Sequence, residues 1–227
     1  MGNEQGPSTI LQQRGCAIRD LGLIDYQEAY ALQKESVDRV LRGGLQEILL
    51  CEHPAVLTLG RLANEKNLLV GPQVLLRKGI KVLPVDRGGD VTLHAPGQLV
   101  VYPILDLNCQ GRDLRSYLQM LEQVAIDFLN SFDIVASRFP SQTGVWVGEK
   151  KIVSIGIGVR KWISFHGLAV NVNTDLRLFS VIKPCGLNVA MTSMREIKGR
   201  VFDMVTVKAR MAEYLCRTFH LKQREKL

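Results

Sequence analysis

Apolar positions recur at helical spacing in three long stretches of the chain. Asp25 with Glu28 three residues on makes a capping-box-like start, after which Tyr26, Ala29, Leu32, Val37, Val40 and Leu41 share a face until Gly43-Gly44. Leu114, Tyr117, Leu118, Leu121, Ala125, Phe128 and Leu129 mark a second helix over about 114–132. Val207, Met211, Tyr214, Leu215 and Phe219 mark a third, starting near Thr206. A shorter helix runs from Pro72 to Lys78 and stops at Gly79.

Between these helices lie short β-rich runs. Glu47 to Glu52 and Ala55 to Gly60 read as strands around a turn at His53-Pro54, and Ile80 to Val85 and Leu99 to Leu105 as two more. Val145 to Val147, Ile152 to Val159 and Ile163 to Asn171 follow, separated by turns at Gly148-Glu149-Lys150 and Arg160-Lys161. Turns that short join antiparallel neighbours, so the sheet is mixed and not doubly wound. Asn173 to Arg200 is irregular. The pattern predicts an α/β (α+β) single domain over 1–227, a mixed sheet flanked by helices, with about 1–10 disordered and about 220–227 a frayed tail.

A length of 227 residues with 46% hydrophobic residues supports one sizeable core and excludes a disordered chain or a disulfide mini-protein. The longest stretch without Asp, Glu, Lys or Arg, Val91 to Leu105, is broken by Pro96, Gly97 and Pro103 and is too short for a membrane helix, which needs roughly 18 residues. Met1 to Thr9 carries no basic leader or apolar segment, so no export or membrane anchoring is expected. The net charge is +7, and Arg195 to Leu227, with nine basic and four acidic residues, holds +5 of it. Such a face attracts nucleic acid or an acidic protein.

Four segments put glycine inside or beside apolar strands: Arg87-Gly88-Gly89, His94-Ala95-Pro96-Gly97-Gln98, Ser154-Ile155-Gly156-Ile157-Gly158 and His166-Gly167-Leu168-Ala169. Glycine weakens a strand, so its presence there marks a bulge or a close backbone approach to a ligand. No dinucleotide or phosphate-loop motif is present, since Gly156-Ile157-Gly158 lacks a third glycine, and the histidines and cysteines have no zinc spacing, so no metal is expected. Five widely spaced cysteines read as free thiols. Cys51 and Cys216 occupy ordinary buried positions, and Cys16 and Cys109 lack activating neighbours. Cys185 stands apart in the turn Lys183-Pro184-Cys185-Gly186, where glycine leaves room beside the sulfur. A nucleophilic thiol needs a nearby cation or base, and the candidates are Lys150, Lys151, His94 and His166.

The chain resembles the lipoyl(octanoyl) transferases from Leu21-Gly22-Leu23 through Thr192-Ser193. The shared motifs are Glu52-His53-Pro54 with Thr58-Leu59-Gly60, Arg87-Gly88-Gly89 through Thr92, His94-x-Pro96-Gly97-Gln98, Tyr102-Pro103, Lys151-Ile152, His166-Gly167 and Pro184-Cys185-Gly186. The resemblance implies a fold related to biotin and lipoate protein ligases. It implies an enzyme that takes octanoyl from octanoyl-acyl carrier protein and delivers it to a lysine of lipoyl domains, those of 2-oxoacid dehydrogenase E2 subunits and of the glycine cleavage H protein. It makes Cys185 the acyl-thioester nucleophile and Lys151 its activating partner. Around the acyl group it places Arg87, Gly88, Gly89, Asp90, Val91, Thr92, Leu93, His94, Ser154, Ile155, Gly156, Gly167, Leu168 and Ala169.

The family needs no cofactor. A cytoplasmic location follows if the source is bacterial, and the mitochondrial matrix if it is eukaryotic. An ATP-dependent lipoate or biotin ligase shares the fold and needs no cysteine, which keeps it as the alternative. A nucleic-acid-binding surface lacks any supporting motif, and the motifs turn the basic face toward acidic proteins.

Overall fold

The computed structural model describes residues 14–183 and 189–224. In chain order the elements are β1 (Arg14–Leu23), α1 (Tyr26–Leu41), β2 (Gln46–Glu52), β3 (Val56–Leu59), α2 (Pro72–Arg77), β4 (Lys81–Pro84), β5 (Val91–His94) and β6 (Gln98–Ile104). Then come α3 (Leu114–Asn130), β7 (Ser137–Phe139), β8 (Gln142–Val147), β9 (Lys150–Arg160), β10 (Ile163–Asn171), α4 (Met194–Lys198), α5 (Met204–Thr218) and β11 (Leu221–Gln223). The three expected long helices form, each capped at its N-terminus by an aspartate: Asp25, Asp113 and Asp203 accept backbone N–H groups of their first turns.

Among the described residues the sheet is mixed, with the order β11-β1-β2-β6-β10-β9-β8-β7, and a second sheet has the order β4-β3-β5. Only the β1 pairings with β2 and β11 are parallel in the large sheet. β2, β6 and β10 are buried almost end to end because α1 covers one face while α3 and α5 cover the other. The small sheet packs on α2 and the 3-10 turn Leu176–Val181 around Leu57, Leu75, Leu93 and Phe179.

Several expectations are corrected. Glu47 to Glu52 and Ala55 to Gly60 do not form a hairpin; they enter different sheets. His53 is buried and bonded to the Ile24 carbonyl and the Tyr102 hydroxyl, and Pro54 cannot donate to a ladder, so the chain leaves the large sheet there. Asn173 to Arg200 is not wholly irregular, since it holds the turn Leu176–Val181 and α4. The tail is not frayed from 220: Leu221–Gln223 pairs with the edge of β1, and the Arg224 N–H donates to the Cys16 carbonyl at 2.9 Å. An unpaired edge of β1 and an apolar Leu221 are both satisfied by that docking. No helix among the described residues is long and apolar enough to cross a membrane.

Candidate active site

The loop between β4 and β5 is folded around its own arginine. Arg87 is buried, and its guanidinium donates to the carbonyls of Thr58, Gly88 and Asp90 and to the Thr58 hydroxyl at 2.7–3.2 Å. Its donors knit backbone together, a use that suits a planar group with five N–H bonds. The Gly88 N–H donates to the Ile157 carbonyl at 2.8 Å, seating the loop on β9. That approach requires glycine opposite: a Cβ on Gly156 would stand 2.9 Å from the Gly88 carbonyl oxygen. On β10, a Cβ on Gly167 would stand 2.3 Å from the Val101 oxygen.

Loop and strands line a partly open, largely apolar chamber. Arg87, Gly89, Asp90, Val91, Thr92, His94, Ser154, Ile155, Gly156, Gly167, Leu168 and Ala169 line it, all of them singled out from sequence. Tyr26, Val100, Tyr102 and His166 complete the wall; His166 was expected as a candidate base for a thiol, and none of the four as a residue around the substrate. Two expected residues lie elsewhere. Leu93 alternates away from the chamber into the small-sheet core, as successive strand residues must, and Gly88 lines a more open groove next door.

The chamber's histidines are neutral. Gln98 Nε2 donates to the Leu93 and Asn171 oxygens, so its Oε1 accepts from His94 Nδ1–H at 2.8 Å. Burial, with His53 nearby, pushes His94 down to about 3. His166 Nε2–H donates to Asp86 at 2.8 Å, and burial pushes this histidine down to about 4 against the pull of that carboxylate. His166 sits mid-strand with φ +55, its N–H held by Gln33 Oε1 at 2.8 Å. His53 is likewise depressed by burial; its Nδ1–H donates to Ile24 and its Nε2 accepts from Tyr102. All three are uncharged at neutral pH, which suits a wall for an apolar group.

The open groove beside the chamber shares Gly89, Asp90, Ile155 and Gly156 with it and adds Gly88, Gln142, Thr143 and Lys151. The two lysines of β9 part ways here. Lys150 is exposed and paired with Glu196 at 3.1 Å. Lys151 is 2% exposed, its Nζ donates to the Thr143 carbonyl at 3.0 Å, and it lies 5.0 Å over the Trp146 ring. Cys185 lies outside the described residues, yet both shoulders of its segment are tied to this region. The Lys183 N–H donates to the Asn67 carbonyl, and Asn67 Nδ2 donates to Asp90. On the other side the Lys151 N–H donates to the Ala190 carbonyl at 2.8 Å, and the Thr192 N–H donates to the Lys151 carbonyl at 2.9 Å. Asn171 links the Thr192 carbonyl to Gln98. Burial raises the thiols of Cys16, Cys51 and Cys216, and Cys109 is exposed beside Asp106.

A largely apolar chamber on this mixed sheet, beside a groove that holds a buried lysine, is the layout of an α/β enzyme with a site for an apolar substrate group. Residues 25–216 match the family described as lipoyl protein ligase A/B catalytic domain. An octanoyltransferase of Solibacter usitatus is 46% identical over 207 residues, 91% of this chain and 94% of that one. One of Syntrophotalea carbinolica is 46% identical over 196 residues, 86% and 90% of the two chains. The chain belongs to the lipoyl protein ligase A/B catalytic-domain family and, within it, to the octanoyltransferase enzymes. The fold has solved counterparts: a lipoate-protein ligase A bound with ATP has a TM-score of 0.73 at 17% identity, covering 94% of this chain and 88% of that chain. Biotin protein ligase from Aquifex aeolicus in complex with biotin and ATP has a TM-score of 0.53 at 18% identity, covering 88% and 71%.

Proposed function

We propose that this chain moves an octanoyl group from octanoyl-acyl carrier protein, through a thioester on Cys185, to a lysine of a lipoyl domain. The observation that carries the proposal is the position of Lys151. It is buried in the wall of the groove beside the chamber, and its backbone pairs with Ala190 and Thr192, a few residues past Cys185. Four residues separate Cys185 from Ala190, so the two lie within at most about 18 Å of extended chain.

In this reading the octanoyl tail fills the chamber built by the Arg87–His94 loop and strand, Ser154 to Gly156, and Gly167 to Ala169. The Lys151 ammonium stabilises the Cys185 thiolate. The thiolate attacks the thioester carbonyl, the C–S bond to the carrier breaks, and the departing carrier thiolate takes a proton from the Lys151 ammonium. The lipoyl-domain amine then attacks the enzyme thioester, the C–S bond to Cys185 breaks, and the proton lost by nitrogen passes to Lys151 or the departing thiolate. An amide is more stable than a thioester, so no nucleotide has to drive the transfer. Acceptors of the E2 and H-protein kind fit a groove that is open to solvent.

Mass spectrometry of protein incubated with octanoyl-carrier protein tests this reading. One octanoyl group is expected on Cys185, and C185A abolishes both adduct and transfer. An adduct that forms undiminished in C185A overturns it.

A further inference from the structure

Glu122 is a buried carboxylate on α3 that the steps above leave unused. Its Oε1 accepts the Gly144 N–H at 3.1 Å, and its Oε2 accepts Arg138 Nε at 3.0 Å. Arg138 is braced in turn by the Gln119 carbonyl and Gln123 Oε1. The Gly144 N–H and the Thr143 C=O are the two ends of one peptide group, which is planar and trans, so they point in opposite directions. The Thr143 end accepts Lys151 Nζ at 3.0 Å. Carboxylate, peptide and ammonium thus stand in series, with the N–H toward the negative group and the oxygen toward the positive one. Hydrogen bonds in such a chain polarise one another, each gaining about 10–30%.

The local backbone is built for this contact. Gly144 has φ +132, and a Cβ there would fall 2.6 Å from Lys151 Cε and 2.6 Å from the Val153 oxygen. The β8–β9 register shifts beside it, so that Val145 faces Val153 while Trp146 faces Lys151. A bulge of this kind re-aims the side chain next to it.

We propose that Glu122 is a positioning residue, which fixes the Lys151 ammonium through the Thr143–Gly144 peptide without touching substrate. The proposal rests on the reading of Lys151 as the partner of Cys185, and two separate readouts keep the two ideas apart. Acylation by a small octanoyl thioester is followed as a burst, and proton exchange of the Lys151 ammonium is followed by NMR in lysine-labelled protein. In E122M the burst rate constant falls about tenfold while burst amplitude and KM stay within about twofold, and the ammonium protons exchange roughly fivefold faster. E122Q keeps an oxygen for the Gly144 N–H and recovers to within about threefold of the natural protein on both readouts. R138M, which loosens Glu122 without removing it, gives an intermediate loss and decides the matter if E122M does not fold. Reduced burst amplitude at an unchanged rate constant, or unchanged ammonium exchange in the variants, overturns the proposal. Faster exchange at an unchanged rate constant leaves the Glu122 link standing and sinks the catalytic reading of Lys151.

Discussion

The apolar chamber and the Lys151 groove share Gly89, Asp90, Ile155 and Gly156, yet they are built in different ways. The chamber is made of backbone brought close by glycine, closed over by a loop that its own arginine holds together. The Lys151 end is made of directed hydrogen bonds between separate segments: Glu122 with Gly144, Thr143 with Lys151, Lys151 with Ala190. Shape is distributed over many van der Waals contacts and tolerates small losses, whereas a charge in a buried setting depends on a few directed partners. The Lys151 end is therefore the more fragile half.

The sharpest test of that difference is removal of the ammonium itself. K151A is expected to slow acyl-enzyme formation by about 10²–10⁴, the range for a lost acid–base or charge-stabilising group, while KM for a small octanoyl thioester stays within a few-fold. A burst rate equal to that of the natural protein removes Lys151 from the mechanism.

The chamber breaks instead through protonation. His94 has an ordinary value near 6.5 when unfolded and about 3 when folded, because burial opposes its charge. Between those values the unfolded chain binds the extra proton, so the stability tied to neutral His94 is complete above about pH 6.5 and declines as pH falls toward 3. At pH 5 the loss is about 2 kcal/mol, roughly 30-fold in the folding equilibrium. Urea unfolding at pH 7.5 and 5 measures it. In H94Q, where the amide still donates to Gln98, the stability difference between the two pH values shrinks by about that 2 kcal/mol. An undiminished pH dependence in H94Q assigns the acid lability to other groups, His166 and the carboxylates first.

The chamber was largely legible in sequence because its construction is local. Glycines at 156 and 167 stand inside apolar strands and mark places where backbone approaches backbone, while Gly88 and Gly89 mark the loop that is seated there. Tyr26 escaped because its side chain looks like one more apolar position on α1; only the packing of that helix on β6 and β10 turns it into the chamber wall. Leu93 was over-assigned because a motif names consecutive residues, while a strand sends alternate ones to opposite faces. β1 and β11 have no clear alternation and exist by pairing with each other and with β2. Glu122 was invisible for a stronger reason: on an amphipathic helix a glutamate reads as solvated, and its carboxylate finds Gly144 only in the folded chain, 22 residues on.

Within the chamber, G156A is the next smaller disturbance. The added methyl meets the Gly88 oxygen at 2.9 Å and Arg87 Cδ at 3.2 Å, so the loop must lift from β9. We expect KM for the small octanoyl thioester to rise about tenfold with the acylation rate at saturation little changed, the reverse of the K151A pattern, since only binding shape is altered. A fall in rate at constant KM contradicts the division between the two halves.

The smallest expected effect concerns the basic face. Its charges are not equivalent once folded. Lys208 is buried against Asp20 at 2.8 Å and near Glu52, so its charge is already matched. Lys222 and Arg224 belong to or directly follow β11, five strands from β9 across the sheet, or about 24 Å at 4.8 Å per strand. Physiological salt screens exposed charges beyond about 8 Å. Arg195, by contrast, lies in the first turn of α4, three residues after Thr192, whose N–H bonds the Lys151 carbonyl, and is exposed. If the proposed carrier protein delivers its thioester to the groove, Arg195 and Lys198 are nearer to it than the β11 edge. R195E is expected to raise KM for octanoyl-carrier protein roughly threefold at low salt, with the gap closing in high salt, while R224E and the small thioester show no change. Equal effects of R195E and R224E mean that the whole basic face steers partners through its net field, and that docking is not confined to the shoulder of the Lys151 groove.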